Sequence, residues 1–96
     1  MPSPEPLVLD DSAEARAVLY DTIENQIRER NPPETAATLA RLQSLGLSRG
    51  DAVRYLACVL SVEFFEIVEH QSSFDLARYQ ANLAALPALP YDDDTD

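Results

Sequence analysis

Apolar residues along this chain recur at steps of three and four, and no segment alternates with period two for long enough to make a strand. That pattern predicts helices and no sheet. The first stripe is Ala15, Leu19, Tyr20, Ile23 and Ile27. Asp11 and Glu14 ahead of it have the spacing of a capping box, so helix 1 is expected to start at Asp11 or Ser12. It has to end before Asn31-Pro32-Pro33, because a residue preceding proline avoids the α region. The same Asn-Pro-Pro-Glu opens helix 2: asparagine caps, proline suits the first turn, and Glu34 complements the helix dipole. Ala36, Leu39, Leu42 and Leu45 form its stripe, and Gly46 stops it with Leu47 folding back on Leu42 in a Schellman ending. Ser48 and Asp51 open helix 3, and Ala52 to His70 follow without proline or glycine. At ~1.5 Å per residue this is the longest element, roughly 30 Å. Helix 4 is expected from Ser72 or Ser73, with Leu76, Tyr79, Leu83 and Leu86 on one face and Phe74 stapling its start. Pro87 and Pro90 end it.

Short connections between successive helices favour antiparallel neighbours. The expected fold is therefore all-α, a compact bundle of about four helices with a long central third helix. Residues 11–87 make the single helical domain. Residues 1–10, with three prolines and then Leu7-Val8-Leu9, are expected to be extended or disordered, and residues 88–96 form an acidic, disordered tail.

Helix 3 differs from the others in carrying two apolar faces. On a helical wheel Ala52, Val53, Leu56, Val59, Leu60, Phe64 and Ile67 gather around ~155° from Asp51. Tyr55, Cys58, Val62 and Phe65 gather near ~0°, spaced 3, 4, 3 like a coiled-coil seam. Either other helices wrap this second stripe, or it is a contact face for a partner protein, most simply a second copy of the chain. Glu63 points into the main apolar face at ~120°. A buried carboxylate needs a partner. The candidates are Arg41, Arg78, Tyr20, Tyr79 or a backbone N–H at a helix N-terminus.

Charge changes the picture less than its total suggests. The net charge is −10, with seven arginines and no lysine. Residues 12–86 carry only −3 of it, and the rest sits on the two ends. The arginines are scattered, so there is no basic stripe for phosphates, and no nucleic-acid partner is expected. No apolar run approaches the ~20 residues that span a bilayer, so no membrane partner is expected. The N-terminus lacks the basic start and apolar stretch of a secretory signal, and one cysteine allows no internal disulfide; both point to the cytoplasm.

Chemistry-bearing patterns are sparse. There is no nucleophile elbow and no phosphate-binding glycine loop, and only two glycines in all. Cys58 and His70 lie twelve residues apart on one helix, roughly 18 Å, too far to pair. Glu63, Glu66, Glu69 and His70 form Glu-x-x-Glu-x-x-Glu-His, but di-metal bundles need Glu-x-x-His on facing helices, and a second histidine is lacking. The segment reads as a solvated acidic face with His70 near a helix C-terminus. No catalytic, metal or cofactor site is expected, and the chain reads as a non-enzyme.

Asn31-Pro32-Pro33-Glu34, Leu39, Leu42, Gly46, Ala52, Val59, Leu60, Glu63, Phe74-Asp75-x-x-Arg78-Tyr79 and Leu83-x-x-Leu86-Pro87 occur in an order that resembles a small helical family of uncharacterised bacterial proteins. The resemblance covers about residues 31–90. It implies a bacterial origin and a helical domain, and it brings no activity or site. The functional expectation is a protein-interaction module that homodimerises or acts as an adaptor through Tyr55, Cys58, Val62 and Phe65. The alternative is an acidic regulator, antitoxin-like or nucleic-acid-mimic-like, that occupies a basic partner protein.

Overall fold

The computed structural model describes residues 13–90. The expected start of the first helix at Asp11 or Ser12, the segment before it and the tail from Tyr91 on lie outside the described residues. Four helices follow one another: α1 Ala13–Glu29, α2 Pro33–Ser44, α3 Arg49–His70 and α4 Leu76–Ala85. There is no strand among the described residues. The all-α bundle with a long third helix is the observed fold.

The helix ends show which local chemistry decided each boundary. At the end of α1, Arg30 takes a left-handed φ of 55°, and the Asn31 N–H donates to the Gln26 carbonyl at 3.1 Å. Asn31 thus closes α1 and does not cap α2, contrary to expectation. The N-cap of α2 is Pro32, which has no side chain to offer, with Pro33 in the first turn. At the other end of α2, Gly46 has a φ of 107°, the Gly46 N–H reaches the Gln43 carbonyl, and the Leu47 N–H reaches the Leu42 carbonyl. This is the expected Schellman closure. Ser48 caps α3 by accepting the Asp51 N–H at 3.1 Å.

Helix α4 starts later than Ser72 or Ser73. Its N-cap is Asp75, whose carboxylate accepts the Arg78 N–H at 3.0 Å. The start is fixed from outside, because the Asp75 N–H itself is held by Glu63 on α3. Phe74 does staple it: its ring meets Tyr79 edge-on with centroids 5.4 Å apart, the pairing of the residue before the cap with the fourth helical position.

The core is built on α3, which buries Ala52, Val53, Leu56, Ala57, Val59 and Leu60. Against them pack Leu19 and Ile23 of α1, Leu39 and Leu42 of α2, and Tyr79, Leu83 and Leu86 from α4 and its end. α2 and α4 lie side by side in the same direction. Gln80 donates to Glu34 near the start of α2, and near its end Arg41 donates to the Leu86 carbonyl at 2.7 Å and the Leu83 carbonyl at 2.9 Å. α1 packs on α3 and α2. It reaches α4 through Gln26, whose Oε1 accepts from both Thr35 and Tyr79 at 2.7 Å. Burial pushes the Tyr79 hydroxyl up from its ordinary value, which keeps it protonated as a donor.

Three expected core positions are exposed. Leu45 is the C-cap of α2 and Leu76 is the first residue of α4, where a helix has not yet turned its face inward. Ile67 is 38% exposed because α3 outruns its neighbours. α4 begins beside Glu63 and α2 beside Gln80, so neither flanks the last two turns of α3.

Candidate functional site

The inner face of α3 contains one charge, and it is fully used. Glu63 is completely buried. One carboxylate oxygen accepts the Asp75 N–H at 3.0 Å and Arg78 Nη2 at 2.9 Å, while the other accepts Arg78 Nε at 2.7 Å. Two of the partners predicted from sequence, Arg78 and a helix N-terminal backbone, act together. The hydrogen bond from Arg78, reinforced by the Asp75 N–H, outweighs burial and holds the Glu63 carboxyl below its usual range. The Glu63 carboxylate in turn holds the Arg78 guanidinium above its usual value. Such a carboxylate has little spare basicity or acceptor capacity. It fixes the start of α4 against α3.

The outer face is different. Tyr55, Cys58 and Val62 are half-buried and Phe65 is 47% exposed. Tyr55 also packs against the core from the edge of the inner face, and of the four only Phe65 is open. Ser61, beside the stripe, folds its hydroxyl onto the Cys58 carbonyl at 2.6 Å, which removes a donor from the surface. Arg54 flanks the stripe near its start and meets Asp51 at 3.2 Å. Glu66 and Glu69 stand near its far end.

Among the described residues, five of the seven exposed large apolar side chains fall within residues 65–76: Phe65, Ile67, Val68, Phe74 and Leu76. Val68, at 57%, is more open than any member of the predicted stripe. The wheel alone did not mark it, because its exposure comes from where the neighbouring helices stop. His70 Nδ1 lies 2.9 Å from Glu66 Oε1, and its ring meets Phe65 edge-on at 5.8 Å. The last turn is thereby held in place over the apolar surface.

The Glu-x-x-Glu-x-x-Glu-His run is split by the fold. Glu63 faces inward to Arg78, Glu66 engages His70, and Glu69 is exposed. Among the described residues no group of three or more His, Cys, Asp or Glu side chains comes together in a way that holds a metal ion. No helix among them is long and apolar enough to cross a membrane. Comparison with family models, with curated proteins and with solved structures finds no match to this chain.

Proposed function

We propose that this protein is a non-enzymatic helical interaction module of the bacterial cytoplasm. Its contact surface is the outer face and far end of α3, with Tyr55, Cys58, Val62 and Phe65 at its centre, and it serves as a homodimer or an adaptor. The observation that carries this reading is the concentration of exposed apolar side chains around the end of α3 and the start of α4, with Phe65 and Val68 on α3 itself, while Ser61 and Glu66 beside them are turned onto the helix. A small domain gains nothing in stability from such a patch, and patches of this kind mark interaction sites. The alternative of an acidic regulator draws on the net charge of −10. Within the bundle, however, Glu24, Asp51 and Glu63 are each engaged by an arginine.

Phe65→Glu is the informative variant, since Phe65 is open whereas Tyr55 leans on the core. It is expected to keep the helical circular-dichroism signal and thermal midpoint of the parent. Used as bait beside the parent chain, it should lose a bound protein, whether a second copy or another chain, that the parent retains at high salt. If every bound protein is retained equally by both, or is released by salt from both, the face is not the contact surface.

A further inference from the structure

We propose that the partner seated at the far end of α3 is a basic amphipathic helix of another protein. This inference rests on the reading of that end as a contact surface and adds the partner's chemistry. Over its last two turns α3 divides into halves. Counted from Asp51, Ile67, Phe64, Val68 and Phe65 lie at ~160°, ~220°, ~260° and ~320°, while Glu69, Glu66, His70 and Glu63 lie between ~0° and ~120°. One half is apolar and the other polar. The chain's own return does not cover the apolar half. Asp75 lands beside Glu63, on the polar edge, and of the apolar four only Phe64 packs against the core. Phe65, Ile67 and Val68 stay exposed.

The charge around these side chains selects the partner. No arginine or lysine stands between Arg54 and Arg78, and the four acids Glu63, Glu66, Glu69 and Asp75 against Arg78 give residues 63–78 a net charge of −3. Glu63 is taken by Arg78, and Glu66 lies 2.9 Å from His70, so Glu69 and Asp75 are the open charges. Glu69 stands four residues after Phe65, next to it on the helix surface. A second copy of this end would set the same acids against each other, and an anionic bilayer would be repelled in the same way. An apolar band bordered by Lys or Arg meets both demands. Its apolar side chains cover Phe65, Ile67 and Val68, and its cations face Glu69. A helix supplies such a band at steps of three and four, the mode in which amphipathic helices are recognised. Two turns of α3 make a small contact, so the complex is a reversible one. Its charges set orientation and speed encounter more than they add affinity.

Amide NMR of the isotope-labelled full chain tests it, with two synthetic helices of about 18 residues, roughly five turns each. Both carry the same leucine face; one has lysine on its other face and the other has glutamate. The lysine helix should shift the amides of residues 64–69, with a Kd between about 10 µM and about 1 mM. High salt should weaken it several-fold without abolishing it, and the glutamate helix should bind several-fold more weakly. Val68→Asp, at an exposed position, should weaken the lysine helix several-fold although it adds negative charge. Glu69→Gln should weaken the lysine helix and strengthen the glutamate one. Equal binding of both helices, or shifts of residues 64–69 on concentrating the chain alone, keeps the face as a contact surface and overturns the basic partner. Binding of the lysine helix that Val68→Asp strengthens, or that shifts only the acidic ends of the chain, overturns it as well. So does the absence of shifts with either helix, in which case the Phe65→Glu comparison still decides whether the face is a contact surface.

Discussion

The two faces of α3 are both apolar and meet different fates. Leu56, Val59 and Leu60 look inward and are sealed under the other helices; Tyr55, Cys58 and Val62 are half-buried and Phe65 is exposed. Apolar character alone does not distinguish them. What distinguishes them is the way polar groups are handled around each. The inner face admits Glu63 and answers it with three hydrogen bonds, two from Arg78 of α4 and one from its N-cap Asp75. The outer face turns its polar groups onto its own helix, Ser61 to a carbonyl and Glu66 to His70. A buried polar group used to fix a fold needs a partner from another element, whereas polar groups on an exposed face can be met within their own helix.

The sharpest way to break this contrast is to orphan Glu63. Arg78→Leu leaves the carboxylate sealed without its cation, and an uncompensated buried charge costs about 3–5 kcal/mol. Urea unfolding should show that loss, and Glu63→Leu/Arg78→Leu should recover most of it. The pH dependence should also reverse. In the parent the Glu63 carboxyl is held below its ordinary value of 4.5, so its contribution is complete above that value and is lost as pH falls through the lower folded value. Without Arg78, burial pushes the carboxyl upward, so the variant should gain stability on acidification from neutral pH toward 5. If it loses stability there as the parent does below 4.5, another cation holds Glu63.

Leu56→Ala on the inner face should cost about 2–5 kcal/mol, the range for emptying a packed leucine site. Phe65→Ala should change stability by no more than about 0.5 kcal/mol, as a surface substitution does. A cost above about 2 kcal/mol for Phe65→Ala would make the outer face part of the core and remove the contrast.

Much of this was legible in the sequence because it is encoded locally. The Gly46–Leu47 closure, the Ser48 cap and the Phe74 staple each need only residues a few positions apart, and all three form. The tilt of Glu63 into the apolar face was visible on the wheel, and so was the list that contained Arg78. The failures came from competition between distant elements. Asn31 was a sound cap until the end of α1 used it, and Ser72 was a sound cap until Glu63 fixed the helix start at Asp75. The exposure of Val68 and Ile67 depends on relative helix placement, which no local spacing carries. The bond from Tyr79 to Gln26 spans 53 residues, and nothing near either residue announces it.

The two ends of α4 are held by groups from other helices: at its start the Glu63 carboxylate takes an N–H, and at its end the Arg41 guanidinium takes carbonyls. Each charge has the sign that the helix dipole favours. A ten-residue helix is too short to persist alone in water, so its existence depends on clamps delivered by α3 and α2. The expectation is that α4 opens together with the elements that clamp it. Its amide hydrogens should exchange only when the whole bundle opens, at the same free energy as those of Leu56 and Leu60. A fragment that stops before Leu76 would leave Glu63 of α3 and Arg41 of α2 without the groups they hold.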